Sequence, residues 1–275
     1  MRTEKESHKK RAAGQIDRHC ALCHGKSMLL TMRIRRHLGA TVLVVAFFTS
    51  VTAGNGRAVP RQQALPNIES LSTECDQGKY ASCVSLGVRY MSGTGVAKDV
   101  GRAAKLYQRA CDGGNADGCS WLAFMCETGT GIAQDMARAV TLYRRACDSG
   151  SATGCGELGR IYFGGIGVPK DDAHAVMLVR RACDDGYAPA CGSLAAAYGT
   201  GRAVKKDESR AATLMQRACE GGYAEACATL AAVYESGTGV TRDAGRALFF
   251  YQKACQMGFQ KACGDASRLH SVQRP

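Results

Sequence analysis

The sequence predicts an all-α fold: an α/α superhelical solenoid of 36-residue helix-turn-helix repeats. Three observations carry this. Cysteines eight positions apart recur in six pairs: Cys75 and Cys83, Cys111 and Cys119, Cys147 and Cys155, Cys183 and Cys191, Cys219 and Cys227, Cys255 and Cys263. Each pair follows the last by 36 residues with no insertion or deletion. A fixed period of roughly 20–50 residues marks stacked structural units. Leu86, Leu122, Leu158, Leu194 and Leu230 stand three positions after the second cysteine, and Tyr90, Cys126, Tyr162, Tyr198 and Tyr234 stand seven after it. Offsets of 0, 3 and 7 share one helix face. Gly-rich turns and a recurring Asp separate these faces at fixed places, as helix stops and starts do.

Composition narrows the compartment more than the chemistry. The 275 residues carry 36 Lys/Arg and 24 Asp/Glu. Ten of the basic and three of the acidic residues precede position 54, so the remainder holds 26 and 21, a net charge of +5. No basic cluster with aromatic or motif support stands there, and nucleic acid is not expected as a partner. Twelve of the fifteen cysteines lie in the six pairs. Persistent disulfides need an oxidising compartment. Zinc is the alternative, but its motifs favour C-x-x-C spacing and often His, and only His174 and His270 follow residue 53. No metal and no cofactor are expected.

Taken in order, residues 1–53 read as a leader and signal peptide. The apolar run 38–53 follows Arg33, Arg35 and Arg36, and Val51-Thr52-Ala53 offers small residues for cleavage after Ala53. About 16 residues is short for a spanning helix; left uncleaved, this segment would be the membrane contact. Residues 1–27 are unusual upstream of such a signal, and Met28 or Met32 is a more natural start. Cys20-Ala21-Leu22-Cys23-His24 matches the C-x-x-C-H haem-attachment string, but it lies on the side of the apolar run that stays in the cytoplasm or is discarded. The expected location is secreted or periplasmic.

Residues 54–66, with Gly54, Gly56, Pro60 and Pro66, read as a flexible linker. The repeat region is 67–275. Asn67 can cap a helix over 68–75, half a hairpin that caps the array. Full units follow at 80–115, 116–151, 152–187, 188–223 and 224–259, with a last partial unit at 260–275. In the first unit, helix A covers about 81–91 and Gly93-Thr94-Gly95-Val96 breaks it. Asp99 can then accept backbone N–H bonds at the start of helix B. Helix B runs to about 112, where Gly113-Gly114 supplies the turn. Unit 188–223 departs: Ala203 replaces the second loop glycine. On helix B, Ala103, Ala139, Ala175, Ala211 and Ala247 permit close approach, and Leu106, Leu142, Leu178, Leu214 and Phe249 or Phe250 are expected to fill the seam.

The string Leu86-Gly87-Val88-Arg89-Tyr90-Met91-Ser92-Gly93-Thr94-Gly95-Val96, followed by Asp99 and Ala103, resembles the Sel-one-like repeat, a relative of the tetratricopeptide repeat. The cysteine pairs resemble the Helicobacter cysteine-rich branch of that family. The resemblance covers about 70–263. It implies an α/α superhelix with one disulfide per hairpin. A cysteine in the last turn of one helix and another in the first turn of the next can reach the Cα separation of roughly 4.4–6.8 Å that a disulfide needs. Functions implied are protein interaction, penicillin binding with weak β-lactamase activity and, for a mitochondrial relative, respiratory-complex assembly.

Motifs for chemistry are sparse. The mature chain has no S-x-x-K, Ser-Asp-Asn or Lys-Thr-Gly string; Ser7-His8-Lys9-Lys10 fits only in the leader. There is no H-E-x-x-H or phosphate-binding glycine motif. The main expectation is an exported, non-catalytic scaffold that binds a protein or peptide. The alternatives are a β-lactamase-like or penicillin-binding protein acting on β-lactams or peptidoglycan fragments, and a respiratory-assembly or haem-handling factor.

Two cationic columns read as a solvated face or as a stripe for an acidic partner. One is Arg102, Arg138, His174, Arg210 and Arg246; the other is Arg109, Arg145, Arg181, Arg217 and Lys253. The candidate partner-binding residues lie on helix A, at offsets 2, 5, 6 and 9 from its cysteine, where identity varies: Arg89, Trp121, Phe124, Glu157 and Arg160, with Val88, Met125 and Ile161 beside them. Trp121 either packs between units or stands out as an anchor. Cys126 has no partner and reads as a small buried residue.

Overall fold

The structure is a computed structural model and describes residues 67–272. The signal segment, the C-x-x-C-H string, the linker 54–66 and residues 273–275 lie outside them. Twelve helices run in order, with no strand among the described residues: α1 (Ile68–Asp76), α2 (Tyr80–Ser92), α3 (Val100–Asp112), α4 (Ala116–Thr128), α5 (Met136–Asp148), α6 (Ala152–Gly164), α7 (Asp172–Asp184), α8 (Ala188–Thr200), α9 (Glu208–Glu220), α10 (Ala224–Ser236), α11 (Ala244–Gln256) and α12 (Gln260–Val272). Even-numbered helices are A and odd-numbered ones B. Each packs on its neighbours in sequence. The helices A of α2, α4, α6 and α8 also touch one another directly, whereas successive helices B barely meet. Helices A therefore form the inner layer.

The punctuation is regular. Asp99, Asp135, Asp171, Asp207 and Asp243 each accept the backbone N–H three residues on, at 2.8–2.9 Å. Asn67 does the same for Ser70 at 2.6 Å. Each Asp removes one of the unpaired donors that open a helix. Helices A end on Gly93, Gly129, Gly165, Gly201 and Gly237 in the left-handed region.

In the Gly113-Gly114 turn the two glycines differ in purpose. Only Gly114 has positive φ, +87°. A Cβ on Gly113 would fall 2.2 Å from the Tyr80 ring. The position before the left-handed one accordingly accepts Ser149, Asp185 or Met257 in other turns.

Ala203 is the one non-glycine with positive φ among the described residues, at 55°. At the equivalent Gly239, a Cβ would lie 2.5 Å from the Glu208 carbonyl carbon at the start of the preceding helix B. Left-handed geometry costs a residue with a β-carbon about 1–2 kcal/mol, offset by the extra freedom that glycine has when unfolded. Ala203→Gly should therefore raise stability by about 0.5–1 kcal/mol, read as a higher urea midpoint with an unchanged slope.

All six cysteine pairs are disulfides, one per hairpin. Cys75 bonds Cys83, Cys111 bonds Cys119, and Cys147 bonds Cys155. Cys183 bonds Cys191, Cys219 bonds Cys227, and Cys255 bonds Cys263. Their Cα–Cα distances are 4.4–4.8 Å. The first cysteine of each pair stands in the last turn of its helix. Its partner (Cys83, Cys119, Cys155, Cys191, Cys227 or Cys263) is the fourth residue of the next helix, so the bond straps two consecutive helices across one short turn. Ten of the twelve cysteines are buried; the last pair, at the array end, is half-buried. The five leucines at offset 3 are buried as expected.

The helix B seam differs from expectation. Phe249 is 58 % exposed, Phe250 is half-buried, and of the remaining seam leucines only Leu142 is buried. The seam is filled one position later, by Tyr107, Tyr143, Val179 and Tyr251. Helix B turns Ala103, Tyr107 and Ala110 inward together, at spacings of four and three that share a face.

Candidate interaction surface

Helix A presents three layers to the inner side. Offset 6, expected to be variable surface, is core: Met125 and Ile161 are fully buried and Ala197 nearly so. Arg89, the same position in the first unit, is half-buried. Its variation reflects packing between neighbouring units, so Met125 and Ile161 are withdrawn from the partner-facing set. Offsets 2 and 5 do face outward. Trp121 is 38 % and Val88 37 % exposed, Ser85, Ala196, Thr229 and Ala232 are exposed, and Phe124 and Ser193 are half-buried.

Trp121 packs between units and stays partly exposed. One face stacks on Tyr107 of the preceding unit, with centroids 5.6 Å apart and planes 13° from parallel, and its edge meets Phe124. The remainder of the indole is open.

Glu157 and Arg160 belong to an internal clasp. Arg160 Nε donates to Glu157 at 2.7 Å, and its Nη2 donates to Glu127 of the previous unit. Tyr143 donates to the other Glu127 oxygen at 3.0 Å, and Tyr187 donates to Glu157 at 2.7 Å. Burial pulls the Arg160 guanidinium down, but Glu157 and Glu127 outweigh it and hold it above its ordinary value. Burial, reinforced by Glu127 and Glu157, pushes the Tyr143 phenol far up.

The clasp recurs further along the array. Arg268 donates to both Glu235 oxygens at 2.8 and 3.1 Å and pairs with Asp265 at 3.6 Å, while Tyr251 donates to Glu235 at 3.0 Å. The Arg268 hydrogen bond holds Glu235 below the usual carboxylate range, and burial pushes Tyr251 up to about 12. Sequence reasoning missed Glu127, Glu235 and both tyrosines. The detectable signal was a Glu and an Arg 33 positions apart, recurring at the same place in two repeats 108 residues apart.

The cationic columns are also engaged internally. Arg109 pairs with Asp76 at 2.6 Å, Arg145 with Asp112 at 3.8 Å and Arg217 with Asp184 at 3.3 Å, each reaching back to the end of the preceding helix B. Arg102, Arg210 and Arg246 lie over the rings of Tyr90, Tyr198 and Tyr234, at 4.6, 4.5 and 5.4 Å. Such contacts contribute about 0.5–1 kcal/mol at exposed sites. In the unit where Cys126 replaces the ring, Arg138 donates instead to Gln108 at 2.5 Å. Cys126 is free and fully buried, and burial pushes its thiol up.

No helix among the described residues is long and apolar enough to cross a membrane. The Sel1 repeat family profile matches residues 81–115, 116–151, 152–187, 188–223 and 224–259. A Sel1 repeat protein from Oxalobacter formigenes is similar, at 30 % identity over 73 % of this chain and 81 % of its own, with a TM-score of 0.65. So is c5321, a protective antigen present in uropathogenic Escherichia coli strains, at 30 % identity over 70 % of this chain and 42 % of its own, with a TM-score of 0.60. Helicobacter pylori cysteine rich protein B shows 28 % identity over 50 % of this chain and 99 % of its own, with a TM-score of 0.39. A search of curated proteins found no match. The profile matches five consecutive units over residues 81–259, and the chain belongs to the Sel1 repeat family.

Proposed function

We propose that the chain is an exported, non-catalytic scaffold that captures a protein or peptide along its inner helix A surface. One observation carries the reading. The scaffold positions repeat from unit to unit, while the outward positions of helix A change from aromatic (Trp121, Phe124) to small (Ser193, Ala196, Thr229, Ala232). A catalytic centre needs converging polar groups, whereas a binding face needs shape and a few anchors. Export rests on the six disulfides, which need an oxidising compartment, and on the signal pattern ending at Ala53.

Ala196→Arg combined with Ala232→Arg tests the groove. Both side chains are exposed, so the melting temperature should stay within about 2 °C of wild type, because exposed substitutions shift stability little. Capture of the partner from an envelope extract by the immobilised chain, followed by mass spectrometry, should fall at least about tenfold, the loss expected when a central contact is blocked. Undiminished capture would remove the groove. A mature protein beginning at Gly54, found by N-terminal sequencing, would support export.

A further inference from the structure

We propose that the inner face where units 80–115 and 116–151 meet binds an extended protein segment carrying an apolar side chain close to a carboxylate. This rests on the scaffold reading above and gives it a site and a ligand chemistry.

The first support is a junction without the clasp that keeps its tyrosine. Glu127, Arg160 and Tyr143 close one junction, and Glu235, Arg268 and Tyr251 close another. At the first junction the same three positions are Met91, Phe124 and Tyr107. The neighbour of the arginine, Glu157 in one clasp and Asp265 in the other, is here Trp121. Of the three junctions that lack the clasp, the other two carry Phe163, Ala196 and Val179 or Gly199, Ala232 and Met215 at these positions, and this one alone keeps the tyrosine and presents the exposed indole of Trp121.

The second support is Tyr107. Its side chain is fully buried and its hydroxyl has no hydrogen-bond partner. At both complete clasps a carboxylate receives that hydroxyl; Met91 cannot. Buried hydroxyls are almost always paired, and this one lacks an acceptor that the chain supplies elsewhere. Trp121 lies over the Tyr107 ring. A segment that turns the indole aside brings its own acceptor oxygen to the hydroxyl.

The third support is charge. Arg89 is half-buried, and no described carboxylate pairs with it. At the next junction Glu127 and Glu157 share Arg160. Arg89 is thus the cation left without an ionic partner at this junction, and the group that complements it is a carboxylate. Arg89 and Phe124 stand at nearly the same height on touching helices A, whose axes pack about 8–10 Å apart. Two or three residues of extended chain, at about 3.3 Å each, span that gap.

The test pans a displayed random-peptide library on the oxidised full chain. Synthetic copies of the selected peptides are then titrated, with Trp121, the chain's single tryptophan, as the fluorescent reporter. Selected peptides should place an aliphatic or aromatic residue within three positions of Asp, Glu or the C-terminal carboxylate, and should shift the indole emission. Arg89→Glu should weaken them about tenfold or more, the usual loss at a charge pair. Tyr107→Phe should weaken them about tenfold, as loss of a hydrogen bond to a charged acceptor does, while raising the melting temperature because an orphan hydroxyl is removed. A merely structural Tyr107 would not separate those two readouts. Basic or acid-free peptides, or affinities indifferent to both substitutions, would overturn the site. Peptides that survive Arg89→Glu and Trp121→Ala but are lost with Ala196→Arg and Ala232→Arg would refute this site and keep the groove. A library that yields no binder would refute both.

Discussion

Reducing the six disulfides should unfold the solenoid at 25 °C. Eleven of the twelve helices are 13 residues long, a length at which an isolated helix is marginal in water. Each helix packs chiefly on its neighbours in sequence, so a repeat array lacks the distant contacts that hold a globular domain together. Each bridge closes a loop across eight positions, and the chain-entropy account gives about 2.5 kcal/mol for such a loop. Six bridges sum to about 15 kcal/mol, as large as the whole stability of an ordinary domain at about 5–15 kcal/mol. After reduction in denaturant and dialysis back under reductant, far-ultraviolet circular dichroism should show little helix and no cooperative melt. Reoxidation should restore both.

Position along the array should grade the effect. Replacing Cys147 and Cys155 with Ala removes a central, fully buried bridge and should cost about 2.5 kcal/mol or more. Replacing Cys255 and Cys263 removes a half-buried bridge and should mainly fray α12. A reduced chain that keeps its helix signal and melts cooperatively would show that side-chain packing alone holds the stack.

What the sequence made legible follows from what repeats. The period, the Asp caps, the loop glycines and the cysteine pairing each depend on positions within one hairpin, and five or six copies make such local rules visible. The seam was misplaced for the opposite reason. Position 106 is uniform, mostly Leu, whereas position 107 mixes Tyr and Val, which are buried, with the half-buried Met215. Uniform chemistry was the wrong guide, because a tyrosine seated across Gly87 and a valine at Gly159 fill differently shaped gaps. Offset 6 was misplaced likewise: Met125, Ile161 and Ala197 look unconstrained, yet all three are buried. Glu157 and Arg160 read as anchors because Glu127, which joins Arg160 to the previous unit, is 33 residues away. That spacing has meaning only once the units are stacked, and it also joins Asp76 to Arg109, Asp112 to Arg145 and Asp184 to Arg217.

The clasp also predicts a loss of stability at a residue whose variability invites a purely functional reading. Arg160→Ala leaves Glu127 and Glu157 facing each other without their cation, with side chains only 16 % and 23 % exposed. Breaking a fully buried pair from one side costs about 3–5 kcal/mol. The Arg160 side chain is 41 % exposed, and water screens part of that interaction, which reduces the expectation to about 2 kcal/mol. At about 2–4 °C per kcal/mol for a domain of this size, the melting temperature should drop by about 4–8 °C. Arg268→Ala should cost less, since its side chain is 50 % exposed in the terminal helix. The repeat itself supplies the control. Glu127→Met with Arg160→Phe copies the Met91 and Phe124 arrangement of the first junction, and removing both charges together should recover part of the loss, because Glu157 keeps its hydrogen bond from Tyr187 but not its cation. The pair should then show a coupling energy of about 1–2 kcal/mol in a double-mutant cycle. Single and double substitutions that merely add, or Arg160→Ala within about 0.5 kcal/mol of wild type, would return Arg160 to the solvent-facing surface and leave the junction to apolar contacts alone.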